Sequence, residues 1–329
     1  MMSGLAPVSS PQPLAPSPFK ITERDILAEL LADKRSPETR RAYAKDLRDF
    51  FALVADSNPS PTLIRQFLEL DRFNAIALVL QYKATLIDKG LAEATVNRRL
   101  AAIKSLVKYA QKIGKCSWSL EEVNGEKIKS YRDTSGVDTD SYKEILAVPD
   151  RDTKKGKRDY AILRLLWENV LRRGEIAKAN IEDFDPAAKT LSILGKGRGT
   201  QKERVSLSAA TTLALAEWLD VRRSYSSSDP LFTALDNAHL GHRLTGNAIY
   251  DLVKDMSAAA GIKKTLSPHR VRHSGITAAL DATGGDVRRV QKLSRHAKVE
   301  TVLCYWDNHS NAQSEVTNLL GNLIEAKGC

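Results

Sequence analysis

The sequence predicts a mainly α protein: an all-helical first domain, then a mostly α second domain interrupted by one small antiparallel β hairpin. Three observations carry this reading. Apolar residues recur at i, i+3, i+4 and i+7 through most of the chain, the period of a helix that buries one face. The only persuasive strand signal is residues 190–207, where TLSIL and ERVSL flank GKGRGTQK, a glycine-rich turn suited to joining two short strands. Residues 120–139 (LEEVNGEKIKSYRDTSGVDT) are polar, contain Gly125 and Gly136 and hold no apolar period, so they read as a linker between the two parts. A length of 329 residues fits two domains of about 100–200 residues each.

Taken in order, residues 1–21 read as a disordered tail, since Pro7, Pro11, Pro13, Pro16 and Pro18 crowd into it without the basic and apolar regions of a signal peptide. A helical domain follows over 22–119. Ser36 is a good N-cap and Pro37 a good first helical residue, after which Tyr43, Leu47, Phe50, Phe51 and Val54 keep helical spacing. The Asn58-Pro59-Ser60-Pro61 stretch ends that helix. Helices are expected next at about 61–70 and 73–88, then from Glu93 to about Ile113 with the stripe Val96, Leu100, Ile103, Val107 and Ala110. The second domain, 140–329, opens with helices, one over about 157–171 containing Ile162, Leu165, Leu166 and Val170. Helices resume after the hairpin, and the last carries Val316, Leu319, Leu320, Leu323 and Ile324.

Composition narrows the partners. Fifty Lys and Arg against forty Asp and Glu leave a net charge of +10, which favours a polyanion such as a nucleic acid. On the 93–113 helix, Arg98, Arg99, Lys104 and Lys108 lie off the apolar stripe and are candidates for lying along DNA phosphates, although an ordinary solvated face would look the same. No apolar run approaches the roughly 20 residues of a membrane span. Three cysteines without CxxC spacing argue against both a disulfide framework and a cysteine-built metal site, and a reducing, cytoplasmic setting fits best.

Four separated segments gather groups with chemistry. Arg172 stands in LRRGE with Glu175 close behind, and Lys196 in GKG at the hairpin tip. His269 and Arg272 stand at i and i+3 in PHRVRHS, and His296 follows LSR nine residues before Tyr305. Each alone has a bland reading: arginines that satisfy a helix end, glycines that a turn needs, a tyrosine in a core. His269 and His273 lack the intervening glutamate and the carboxylates of a zinc site, so neither a metal nor another cofactor is expected.

The ordered set Arg172, Lys196, His269, Arg272, His296 and Tyr305 resembles the catalytic pattern of the tyrosine site-specific recombinases, the phage integrase family. LRRGE is similar to that family's LRxxE box, GKG to its hairpin lysine turn, PHRVRHS to its PHxLRHS box, and LSRHAKVETVLCYW to the segment that ends in its nucleophilic tyrosine. GLAEATVNRRLAAIKSLVKYA within 22–119 resembles its core-binding domain. Two departures stand out: Arg295 replaces a usual glycine, and Asn169-Val170 replaces a common Thr-Gly. The resemblance implies cleavage and rejoining of double-stranded DNA at a specific site through a 3′-phosphotyrosyl intermediate and a Holliday junction. It also implies a dimer on each site, a tetramer in the synapse and a C-terminal helix that docks into a neighbour. Topoisomerase-like or telomere-resolving activity, or DNA binding alone, are the competing readings.

The chemistry stands beside the resemblance. A phosphodiester repels nucleophiles and a tyrosine with pKa about 10 is a weak one, so attack needs neutralised phosphate charge and a path for the phenol proton. Arg172 and Arg272 suit the first task as bidentate guanidiniums that need no metal. His269 suits proton acceptance, Lys196 protonation of the departing 5′-oxygen, His296 donation to a phosphate oxygen, and Glu175 the orientation of one of these groups.

Overall fold

Capping side chains decide where the first helices begin. The computed structural model describes residues 24–128, 136–195, 199–222, 226–307 and 312–325, with the side chains of 306–315 and 325 set aside. The expected tail, 1–21, lies outside the described residues. The chain divides into two compact units between Tyr131 and Arg132.

In the first unit Asp25 caps α1 (Ile26–Asp33), Ser36 with Pro37 opens α2 (Pro37–Ala55), Ser60 with Pro61 opens α3 (Pro61–Glu69), and Asp71 caps α4 (Arg72–Asp88). Each cap oxygen accepts a backbone N–H that the first turn leaves unpaired. Helix α5 (Glu93–Lys112) buries Val96, Leu100, Ile103, Val107 and Ala110, the stripe read from the sequence. Only α1 lies outside the expected set; eight residues hold too few periods for its pattern to stand out. Phe50 sits at the centre, with ring centroids 5.1 Å from Phe51, 5.3 Å from Phe67 and 5.1 Å from Tyr82, all edge to face. Leu120 and Val123 are buried in this same core, so the polar stretch read as a linker begins with residues packed onto the first unit.

The second unit is also largely helical: α6 (Thr139–Ala147), α7 (Lys154–Glu168), α8 (Arg173–Lys178), α9 (Ala209–Arg222), α10 (Gly246–Ala259), α11 (Pro268–Ala282), α12 (Val287–Ser294), α13 (Val299–Asp307) and α14 (Ala312–Glu325). Between α8 and α9 stand β1 (Phe184–Asp185), β2 (Thr190–Ile193) and β3 (Glu203–Ser206), antiparallel in that order. The hairpin strands pair Leu191 with Val205, and β1 adds a short edge through Phe184 opposite Leu191. Two residues are too short for an alternation signal, so β1 was invisible to pattern. Helix α7 ends at Glu168 rather than near residue 171, with consequences for the site below. A large core surrounds Trp218, Leu166 and Leu191, while Val170, Ile276, Leu280, Val290, Val302 and Tyr305 form a smaller one. No described helix is long and apolar enough to cross a membrane.

Phe50→Ala should cost about 3–5 kcal/mol, because the cavity opens inside a ring of aromatic partners that cannot all move in. Urea unfolding monitored by circular dichroism would measure it. A midpoint equal to wild type would mean that this aromatic cluster does not organise the first unit.

Candidate active site

Where α7 stops, the chain turns sharply to enter α8. Asn169 caps α7 and Val170 has φ 43°, in the left-handed region that a β-branched residue seldom adopts. This turn shortens the helix expected over 157–171 and releases Leu171 into the core and Arg172 to the N-cap of α8. Helix α11 presses on the same turn. A Cβ at Gly275 would lie 2.7 Å from the Trp167 carbonyl oxygen and 2.8 Å from Val170 Cγ1, so the approach requires glycine. Asn169 Nδ2 donates to the Ser206 carbonyl at 2.7 Å, tying the turn to the end of β3.

Glu175 is 2% exposed and serves two arginines. Its Oε1 accepts from Arg172 Nη1 at 2.7 Å; its Oε2 accepts from the Arg172 backbone N–H at 2.9 Å and from Arg295 Nη2 at 3.1 Å. Burial pushes its pKa up, but the Arg172 N–H and the Arg295 and Arg172 guanidiniums outweigh burial and hold it below the usual carboxylate value. Arg295 ends α12 in the left-handed region at φ 57° and also donates to the carbonyls of Asn169 at 3.2 Å and Leu293 at 2.9 Å. Both departures from the family's pattern, Val170 and Arg295, therefore fall where the backbone itself favours glycine.

Arg272, on α11, is 2% exposed. One Nη donates to the Val170 carbonyl and the other to the Ser294 carbonyl, so α11 grips the turns after α7 and at the end of α12. Burial first, then Arg172 and Arg295, lower its pKa to about 10, which leaves it charged at neutral pH. His296 Nε2 lies 3.4 Å from Arg272 Nη2, and its Nδ1 lies 3.0 Å from Ser294 Oγ. Burial first, then Arg272, Arg172 and Arg295, push His296 down to about 4, so the ring is neutral at pH 7. A neutral imidazole donates from one nitrogen and accepts at the other. Because the guanidinium can only donate, Nε2 accepts and Nδ1–H donates to Ser294 Oγ.

Tyr305, on α13, is 7% exposed, with its ring centroid 4.1 Å from that of His273 and 5.7 Å from that of His296. Burial raises its pKa against the pull of Arg272 and Arg172, and the phenol stays protonated at neutral pH. His269, one residue after Pro268 at the start of α11, keeps an exposed edge. Loss of water around the rest of its ring, then Arg272 and Arg172, lower its pKa.

Arg172, Glu175, His269, Arg272, His296 and Tyr305 thus come from four helices, or the turns that open and close them, into one electrostatically linked group. Lys196 lies outside the described residues; β2 and β3 lead to it. In the first unit Arg98 pairs with buried Asp46, while Arg99 pairs with Asp49 at 3.1 Å and donates to Tyr82 Oη at 3.4 Å. These two candidates for phosphate contact therefore also hold α5 to α2; Lys104 is half-buried and Lys108 exposed. Sequence reasoning missed Arg295 and His273 as members of the site. Their only signal was position, one beside His296 and one a helical turn beyond His269.

The sequence and the fold have known counterparts. Residues 136–312 match the family model described as Phage integrase family, and 27–114 match Phage integrase, N-terminal SAM-like domain. A tyrosine recombinase of Synechocystis sp. is 51% identical over 311 residues, covering 94% of this chain and 99% of the relative. Tyrosine recombinase XerC of Pelobacter propionicus is 30% identical over 271 residues, covering 82% and 84%. The chain belongs to the phage integrase family, the tyrosine recombinases. The fold matches XerH site-specific recombinase bound to palindromic difH substrate with a TM-score of 0.65, at 20% identity and 90% and 84% coverage.

The histidine chemistry has a pH signature. His296 binds its proton more weakly folded than unfolded, so its contribution to stability is complete above about 6.5, the unfolded value. It is lost as the pH falls towards about 4. Glu175, held low, contributes above the usual carboxylate value and loses its contribution at still lower pH. Denaturant unfolding at pH 7, 5.5 and 4.5 should show His296→Asn losing less stability on acidification than wild type; equal losses would refute a buried, neutral His296.

Proposed function

We propose that this chain is a site-specific DNA recombinase that cuts and rejoins duplex DNA through Tyr305. The observation that carries the reading is a buried tyrosine in one cluster with the guanidiniums of Arg172 and Arg272 and the imidazoles of His269 and His296. In this reading the two guanidiniums take the non-bridging oxygens of the scissile phosphate, and Tyr305 Oη attacks phosphorus in line. The bond from phosphorus to the 5′-oxygen breaks, leaving a 3′-phosphotyrosyl link. His269 accepts the phenol proton and Lys196 protonates the departing oxygen. The charge of the two arginines makes a metal unnecessary, and the retained diester energy makes ATP unnecessary.

His296 needs one change before it donates to phosphate, because its Nε2 accepts from Arg272. An arriving phosphodiester anion offsets the guanidiniums that depress the ring and draws away the Arg272 donor, so Nε2 gains a proton as substrate binds. Partner strands exchange through a Holliday junction, with a dimer on each site and a tetramer in the synapse. Helix α14 supports that assembly: Val316, Leu319, Leu320, Leu323 and Ile324 are all exposed, as docking into a neighbour would require. Arg98, Arg99, Lys104 and Lys108 are assigned to the DNA backbone alongside α5, the first two while holding their aspartates.

Tyr305→Phe should bind DNA within about threefold of wild type and form no denaturation-resistant complex with a nicked suicide substrate, since only the attacking oxygen is lost. Wild type should form that complex in EDTA. A covalent band from Tyr305→Phe would refute the nucleophile, and a metal requirement would refute the metal-free step.

Lys196→Ala should be slower by about 10²–10⁴-fold on ordinary DNA. It should cleave at close to the wild-type rate where sulfur replaces the bridging 5′-oxygen, a leaving group that needs no proton. Equal defects on both substrates would pass the general-acid role to another group.

A further inference from the structure

Helix α4 is apolar on two faces. Ala75, Val79, Tyr82 and Leu86 are buried in the core of the first unit. On the other side Phe73, Ala77, Leu80, Ala84 and Ile87 are all exposed, Phe73 to 79%, Leu80 to 44% and Ile87 to 46%. Spacings of four and three residues in alternation place these five on a single seam, as in a helix that meets another helix lengthwise. The fold of the first unit makes no use of that seam.

We propose that this seam pairs α4 with α4 of a second copy of the chain, antiparallel, about a two-fold axis at Leu80. The order of sizes is its own mirror image: large, small, large, small, large. In an antiparallel pair centred on Leu80, Leu80 meets Leu80, Phe73 meets Ile87, and Ala77 meets Ala84. The alanines let the axes approach while the large side chains fill the space at each end. A two-fold contact needs this kind of self-complementary patch.

The charges beside the seam agree. Gln81 falls beside Gln81, so no like charges meet at the centre. Asp88 of each copy falls beside Asn74 in the first turn of the other, where the positive end of the helix dipole favours an anion. Lys83, on the opposite flank, is already neutralised by Glu126 at 2.6 Å. Parallel pairing would instead put Asp88 against Asp88 and align the two dipoles unfavourably. The seam itself carries no cation, which disfavours nucleic acid as its occupant.

A stripe about 21 Å long covers a few hundred Å², well below the roughly 800 Å² per partner of a standard interface. The contact is therefore weak between free molecules and gains force when another ligand holds two copies close together. It is distinct from α14, whose apolar residues lie at the other end of the sequence.

Sedimentation of the full-length protein without DNA, at about 1–500 μM, tests the proposal. Wild type should dimerise reversibly, and Leu80→Glu and Leu80→Lys should each weaken dimerisation at least about tenfold while melting like wild type. Mixing the two should restore it, because residue 80 faces its own copy. Mixing Phe73→Glu with Ile87→Lys should also restore it, which only the antiparallel arrangement allows. A wild type that stays monomeric, a Leu80→Glu protein that still dimerises, or mixtures that fail to recover would each overturn the proposal.

Discussion

One buried carboxylate sets the terms for the candidate site. Three guanidiniums meet here, those of Arg172, Arg272 and Arg295; burial first, then the neighbouring positive charges, lowers the affinity of Arg272 and Arg295 for protons. Glu175 is the anion placed among them, bonded directly to two. The carboxylate offsets part of this concentrated positive charge, and backbone carbonyls of Val170, Ser294, Asn169 and Leu293 accept from further guanidinium donors. The excess that remains is what an anionic ligand meets. Burial first, and then that field, depresses His296 to about 4.

The helices were legible because their signals are local. Ser36 with Pro37 marks a helix start in the sequence and caps α2 in the structure, and the stripe of α5 is buried as its period implies. The site was legible residue by residue only through its likeness to a family, since Arg172, Arg272 and Tyr305 each have an ordinary structural reading. What stayed hidden depends on contacts between distant segments. The end of α7 is decided by α11 pressing through Gly275, over a hundred residues away in sequence. Arg295 looked like a local departure because its partner, Glu175, stands on another helix. The stretch 120–139 read as a linker because polarity conceals the two apolar residues, Leu120 and Val123, that anchor its start.

Position within the unit matters as much as composition. Tyr305 is packed in the smaller of the unit's two cores, with Val170, Ile276, Leu280, Val290 and Val302, rather than in the large one around Trp218. Fewer buried apolar side chains hold α12 and α13 than hold the helices around Trp218. The tyrosine is thereby sheltered by the smaller core.

The hydrogen bond from Asn169 to Ser206 gives the β hairpin a mechanical role. Ser206 closes β3, and the carbonyl of the same Asn169 receives Arg295, which in turn holds Glu175 and so Arg172. The end of the hairpin is thereby hooked to the arginine turn. Two hydrogen bonds thus run from the end of β3 to the guanidinium of Arg295, and two more carry the connection through Glu175 to that of Arg172.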